Sequence, residues 1–463
     1  METITLSQLL EAVHGQLLGT YADLNTPILR VDTDSRSIHE GSVFLPLIGE
    51  RFDGHAYINA ALNSGAAGCL TMKEQESYRE DKFYVKVADT ERALRDLAVW
   101  YKSQFPIPFV AVTGSVGKTT AKDMIAAVLG TRYKVLKTEG NFNNNLGLPL
   151  TLLRLNHSYE ICVLEMGMDR SGQIDYLGEI VKPDVGVITN IGDAHIEYLG
   201  SREGIFKAKC ELLPHIKAGG RIVLNGDDAW LSTLRGNTAV PAVFCGKGDG
   251  LDYQAQAIGG DGVSFIRCRL NTPVMNGEVD IPALGEHMIY PATIATAVAE
   301  YFGLTQEEIR QGLTQFVPTR MRMNIHKREG NIMILDDTYN ANPQSMRAAI
   351  SVLSGSHAGH KVAVLGDMLE LGEFSESLHT SVGEYLGEKC VDCLVAIGPE
   401  CRYMAAAARK AGVKQVFHCA DKGEAMEHLK SWLRENTTFL VKASRGMRLE
   451  EISAFLLEQT KEG

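Results

Sequence analysis

Apolar runs of four or five residues recur along the chain, separated by turns and by stretches whose apolar positions have helical spacing. Pro108 to Val112 is one such run, and it leads through Gly114 to Gly117 into a helical pattern over Thr119 to Leu129. Further runs stand at Ile161 to Leu164, Val185 to Thr189 and Arg221 to Leu224, with helix-like segments between them. Strands apolar on both faces and alternating with helices predict a covered parallel sheet, whose ligands sit at the carboxyl ends of the strands. Leu251 to Asp280 reads as several short strands and Tyr290 to Tyr301 as an Ala-rich helix. Pro318 and the basic stretch Arg320 to Arg322 then break the pattern, and a hinge is expected there. Beyond it, strands at Ile332 to Leu335, Val362 to Leu365, Leu394 to Ile397 and Phe439 to Val441 alternate with helices again. Ahead of Pro108 the chain opens on a helical stretch, Leu6 to Val13, followed by short mixed segments and turns such as Asp53-Gly54-His55.

At 463 residues the chain exceeds one ordinary core, and about 100–200 residues per domain implies about three. The pattern breaks place them at residues 1–104, 105–321 and 322–463. The expected fold class is α/β: a small α/β domain, a central parallel-sheet domain and a C-terminal Rossmann-like domain. A net charge of -11 without a Lys/Arg-rich block argues against general nucleic-acid binding. The N-terminus lacks a basic region followed by an apolar stretch, and no apolar run is long enough to span a bilayer. A cytoplasmic location without a membrane span is therefore expected. The nine Cys are scattered; Cys390 and Cys393 form a C-x-x-C just before an apolar run and read as reduced cysteines near a strand.

The first candidate chemistry lies at Thr113-Gly114-Ser115-Val116-Gly117-Lys118-Thr119-Thr120. Between a strand and a helix, such a loop can cradle phosphate oxygens with its backbone N–H groups and the helix N-terminus. Lys118 is placed to neutralise the outer phosphates, and Thr119 to hold Mg²⁺ through its hydroxyl. Gly114, Ser115, Val116, Gly117 and Thr120 complete the candidate ATP-phosphate site. The common G-x-x-x-x-G-K-[ST] pattern needs Gly where Val112 stands, so this loop is a shorter variant.

That short loop resembles the Mur ligases and their relative folylpolyglutamate synthase. Thr138 to Asn144 with Gly147 and Pro149, Leu164-Glu165-Met166-Gly167, Asn190 to His195, and Ala208-Lys209-Cys210-Glu211 are similar to the Mur ligase central domain. Asp336 to Met346 and the VLGDMLELG run, Val364 to Gly372, resemble the D-alanyl-D-alanine-adding branch of the family. Thr33-Asp34-Ser35-Arg36 and Gly49 to His55 are similar to its UDP-sugar-binding domain. One segment departs: Gly285 to Pro291 keeps the Gly and His of G-x-H-N-x-x-N but has Met288 and Pro291 where Asn is common.

The resemblance implies an ATP-dependent amide ligase acting on UDP-MurNAc-tripeptide and D-alanyl-D-alanine through an acyl phosphate, in the cytoplasmic stage of peptidoglycan synthesis. Mg²⁺ and Lys must stabilise the charges brought together in phosphoryl transfer. Glu165, at a strand end, suits Mg²⁺ as a hard oxygen ligand. By resemblance His195 and Lys209, the latter carbamylated by CO₂, bind a second Mg²⁺, and Lys118, Lys209 and His195 form the catalytic set. Asp337 is implied at the ATP ribose, Asn340 near the phosphates and Arg322 at ATP from the hinge. Asn141, Asn143 and Asn144 are candidates for binding substrate or metal-bound water through their amide groups, Asn141 and Asn144 foremost, although an Asn-rich loop is also ordinary turn chemistry. Ser35 and Arg36 are candidates for the uridine-diphosphate end, Arg36 alternatively being an exposed cation. Lys442 to Arg445 is a candidate for holding the incoming dipeptide or the closed domain arrangement. Three alternative readings are disfavoured: another ligase of the superfamily by the Asp336-to-Met346 string, a switch or motor ATPase by the UDP-sugar-like first domain, and a noncatalytic scaffold by the complete Lys, Thr, Glu and His of the phosphate site.

Overall fold

The computed structural model describes residues 1–49 and 52–461. It divides into two compact units: Met1–Ala111 with Tyr133–Gly167 and Asp175–Pro183, and Val112–Arg132 with Met168–Ile174 and Asp184–Gly463.

In the first unit, Thr5 and Gln8 form a capping box that starts the helix Leu6–Val13. A five-stranded sheet runs Gln16–Leu18, Phe83–Lys86, Gly68–Thr71, Ser42–Phe44, Arg30–Asp32. Its first pair is antiparallel and the others parallel. Phe44, Ile58, Leu62, Cys69 and Tyr84 pack as the core under this sheet. The helix Thr90–Ser103 lies inside what the sequence reading treats as mixed short segments. Its signals are present: Asp89 accepts the Arg92 N–H as N-cap, and Ala93, Leu94, Leu97, Ala98 and Tyr101 are buried at helical spacing. The unit also holds the parallel pair Val135–Lys137 and Ile161–Glu165.

The strand Phe109–Thr113 carries the chain into the second unit, where it leads into the helix Lys118–Leu129. Strands Val185–Ile188, Arg221–Asn225, Ala242–Gly246 and Tyr253–Gly260 pair in parallel, and Ile266–Asn271 and Asn276–Ile281 extend the sheet antiparallel. The helix Ile289–Tyr301 is almost entirely buried, as its Ala-rich composition permits. A six-stranded sheet follows, ordered Asn324–Arg328, Ile332–Asp336, Thr437–Lys442, His360–Gly366, Cys393–Ile397, Gln415–Cys419. All its pairs are parallel except the first. No described helix is long and apolar enough to cross a membrane, and all nine cysteines are free thiols.

Candidate functional site

The phosphate loop owes its shape to two glycines. A Cβ on Gly114, at φ +144°, would stand 1.9 Å from the Thr189 hydroxyl, and Gly117, at φ +78°, turns the chain into the helix Lys118–Leu129. No described side chain caps that helix, and an uncapped helix N-terminus suits an anion. Asn190 clamps the loop: its carbonyl accepts the Ser115 N–H at 3.0 Å and its side-chain oxygen the Val116 N–H at 2.9 Å. Ser115 Oγ accepts the Gly192 N–H at 2.9 Å, and the Thr189 hydroxyl donates to Val116 O at 2.6 Å. The Asn190-to-His195 string thus shapes the loop, a role the sequence reading does not assign. Lys118 Nζ donates to Gly114 O at 2.9 Å.

Arg322 lies beside this loop. Its Nη2 donates to Thr119 Oγ1 at 3.3 Å, its guanidinium sits 4.0 Å from the Tyr339 ring centroid, and its Nε is buried with no hydrogen-bond partner among the described residues. Asp337, at the end of Ile332–Asp336, accepts the Met323 N–H at 3.2 Å and the Lys442 ammonium at 2.6 Å. Lys442 also donates to Asn340 O at 2.8 Å and is 1% exposed, so its ammonium is engaged in this pair. Asn340 is exposed, and its side-chain oxygen accepts the Ala341 N–H at 2.9 Å. Asn342 caps the helix Pro343–Gly355, with Pro343 at its first turn, which gives that part of the string a structural reason. Thr119, Arg322, Asp337 and Lys442 line one cavity together with Gly117 and Met288. Removing Lys442 would leave the Asp337 carboxylate without its ammonium partner. Lys442→Ala is expected to lower unfolding free energy by roughly 3–5 kcal/mol, read by chemical denaturation.

A second cavity of about 390 Å³ also borders Val116 and Gly117 and is lined by Asn190, Asp227, Trp230, Tyr290 and Pro291. Burial, with the Asp227 carboxylate nearby, pushes the Tyr290 phenol well up. Of the two departures from the Asn-containing segment, Pro291 lines this cavity and Met288 the other.

His195 and Lys209 belong to the same unit. His195 has a left-handed backbone, φ +62°, and its Nδ1 is 2.6 Å from Glu370 Oε2. That hydrogen bond holds the Glu370 carboxyl below the usual carboxylate range. Lys209, on the helix Arg202–Cys210, is 1% exposed. Burial first, then the positive charge of Lys118, lowers its amine far below the ordinary lysine value. Its neighbour Lys207 is exposed and pairs with Glu203 at 2.6 Å, one turn away.

In the first unit, Glu165 ends a fully buried strand. Its N–H donates to Thr138 Oγ1 at 3.0 Å, and Asn143 Nδ2 donates to its Oε1 at 2.8 Å. Its Oε2 is buried with no partner among the described residues, the condition of a carboxylate that suits a cation. A Cβ on Gly167 would meet the Asn143 side chain at 3.0 Å, so the glycine of Leu164-Glu165-Met166-Gly167 makes room for this contact. Asn143 is thus the asparagine that reaches the acid. Asn144 Oδ1 accepts the Gly147 N–H at 2.8 Å, opening the helix Gly147–Leu152, and Asn141 is exposed.

A cavity of about 500 Å³ in this unit is lined by Arg30, Thr33, Asp34, Ser37 and Arg154, among others. Ser35 and Arg36 are not in its wall. Arg36, 87% exposed, folds onto Asp34 at 2.7 Å and holds that carboxyl down to about 2. Of the Gly49-to-His55 string, Glu50 and Arg51 lie outside the described residues. Asp53 caps the turn Gly54–Tyr57, and a Cβ on Gly54 would meet Leu47 O at 2.6 Å.

Residues 27–101 match the model of the Mur ligase family catalytic domain, 112–299 the Mur ligase middle domain and 321–445 the Mur ligase glutamate ligase domain. The chain is 38% identical over 458 residues to the UDP-N-acetylmuramoyl-tripeptide--D-alanyl-D-alanine ligase of Bacillus subtilis (strain 168), covering 98% of each. It is 35% identical over 465 residues to the ligase of the same name from Escherichia coli (strain K12), covering 99% of each. A crystal structure of MurF from Acinetobacter baumannii superposes with a TM-score of 0.91 at 34% identity, covering 99% of both chains. MurF ligase from Thermotoga maritima in complex with ADP gives 0.82 at 29% identity, covering 93% of this chain and 97% of that one.

Proposed function

The chain belongs to the Mur ligase family, and from that membership we infer that it is an ATP-dependent amide ligase joining D-alanyl-D-alanine to UDP-MurNAc-tripeptide in peptidoglycan synthesis. The observation that carries this reading is full-length similarity to ligases of that name, together with an uncapped helix behind a lysine-bearing phosphate loop. We place the reaction in the cytoplasm.

The terminal carboxylate of the tripeptide attacks the γ-phosphorus of ATP, the bond to the β-phosphate oxygen breaks, and ADP leaves. The dipeptide amine then attacks the acyl carbon and loses a proton, and phosphate departs with one oxygen of the original carboxylate. The N-terminus of the helix Lys118–Leu129 and the Lys118 ammonium bind and orient the phosphates, a job of positioned charge rather than covalent catalysis. Arg322 and Thr119 flank them, and Asp337, held by Lys442, takes the ribose, with Asn340 toward the phosphates. The cavity beside Tyr290 and Trp230 accepts the adenine, stacking replacing the absent asparagine amides. Tyr290→Ala is then expected to raise the KM for ATP by about tenfold with little change in kcat, measured by steady-state kinetics.

Donor chemistry fits Mg²⁺. In the first unit Glu165 offers a buried carboxylate oxygen without a hydrogen-bond partner among the described residues, and in the second unit, taken by itself, Thr119 offers a hydroxyl. His195 and carbamylated Lys209 are assigned to a second ion. A neutral Lys209 amine adds to CO₂, forming an N–C bond and releasing a proton, which turns a would-be cation into a carboxylate-like ligand. Bound Mg²⁺ supplies charge neutralisation for the transferring phosphoryl group. In the first unit, the cavity with Arg30 and Arg154 supports a UDP-sugar site there; Ser35 and Arg36 beside it, and Asn141 and Asn144, are kept as proposed substrate contacts.

Isotope transfer tests the reaction. With ¹⁸O in the tripeptide carboxylate, one ¹⁸O is expected in each phosphate released during ligation; phosphate free of label would overturn the acyl-phosphate route.

A further inference from the structure

Glu370 has no part in the mechanism above, yet it makes the shortest polar contact to the His195 ring. We propose that Glu370 is a positioning residue that holds Nδ1 of His195 so that Nε2 faces a divalent cation. The proposal rests on the assignment of His195 as a metal ligand.

The contact is 2.6 Å, and no described residue hydrogen-bonds Nε2. A carboxylate on the Nδ1–H of a metal-binding histidine fixes the tautomer, orients the ring and makes the other nitrogen a better donor. Exposed ion pairs usually join flexible side chains and carry little meaning. Here the backbones are constrained at both ends: His195 at φ +62° and Glu370 at φ +61° are both left-handed, a conformation uncommon for residues with a Cβ.

The loop bearing Glu370 is also tied down next to it. The Met368 N–H donates to His379 Nε2 at 3.1 Å, and the Leu369 N–H donates to Ser444 Oγ at 2.9 Å. His379 is wholly buried, and its Nδ1 bonds to Ser375 O at 2.8 Å, which fixes Nε2 as an acceptor. Asp367 accepts the Cys401 N–H through its side chain at 2.8 Å and the Ser444 N–H through its carbonyl at 3.1 Å. On the other side, a Cβ on Gly372, at φ +51°, would lie 3.1 Å from Glu197, two residues after His195. Glu370 and His195 each follow the carboxyl end of a parallel strand, where such sheets bind ligands. Part of the VLGDMLELG run thereby acquires a physical reason: it delivers a carboxylate to the histidine from a fixed loop.

Mn²⁺ binding to the full-length protein with saturating ADP, counted by the electron paramagnetic resonance of free Mn²⁺, separates the two levels of the claim. The wild type is expected to bind two ions and His195→Ala to lose one. Glu370→Ala is expected to keep both but to weaken one roughly 10–100-fold. Glu370→Gln, whose amide oxygen still accepts from Nδ1–H, is expected to fall between, and it decides the matter should the alanine variant fold poorly. Wild-type affinity in both Glu370 variants, with one ion lost in His195→Ala, overturns the positioning role and leaves the metal assignment standing. Two ions retained by His195→Ala overturn both.

Discussion

Lys118→Ala is expected to lower turnover by roughly 10²–10³-fold, the cost of losing one positioned group that meets charge developing in the transition state. The lysine opens the helix Lys118–Leu129, and its Nζ donates to the Gly114 carbonyl, so its charge is aimed along the loop rather than into the core. The loop's shape depends instead on Gly114, Gly117 and the Asn190 clamp. The variant should therefore melt within a few degrees of the wild type. Steady-state turnover alongside thermal unfolding checks both halves; near-normal activity in a folded variant would remove Lys118 from the mechanism.

The second large effect is expected at Lys209. An ammonium at this position is disfavoured by burial and by Lys118, so the neutral amine that CO₂ requires is unusually abundant near neutral pH. The sign follows: because the folded-state value is depressed, the neutral fraction rises with pH earlier than for an exposed lysine, and so should recovery of activity when CO₂ is returned to depleted enzyme. Lys209→Ala is expected to lose at least about 10²-fold in activity, as one charge-stabilising group does. It should regain part of that loss with added short carboxylic acids, which can occupy the place of the carbamate. Lys207→Ala, which removes only an exposed one-turn ion pair, should stay within about twofold of wild type. Full activity of Lys209→Ala in CO₂-depleted buffer would contradict the assignment.

What the sequence discloses follows from which residues face the core. Central strands such as Ile161–Glu165 and Cys393–Ile397 are buried on both faces and stand out as unbroken apolar runs. Edge strands do not: Asn324–Arg328 and Gln415–Cys419 are largely polar or exposed, as sheet edges usually are, and no apolar run betrays them. The phosphate loop was legible because its glycines, lysine and helix are contiguous. The contacts that organise the site join distant positions and have no local signature. Asn143 reaches Glu165 across 22 residues, Glu370 reaches His195 across 175, and Lys442 reaches Asp337 across 105. Motif strings also mix roles: Asn342 and Asp53 cap a helix and a turn, while Asn144 opens a helix, and only the fold separates such residues from those that face a cavity.

In the proposed reaction ATP cleavage is coupled to joining a peptide carboxylate to a dipeptide amine. Phosphate release, measured with ATP, UDP-MurNAc-tripeptide and D-alanyl-D-alanine and with each omitted in turn, tests it most directly. Sustained release is expected only with all three, one phosphate for each UDP-MurNAc-pentapeptide formed. Equal release without the dipeptide would contradict it.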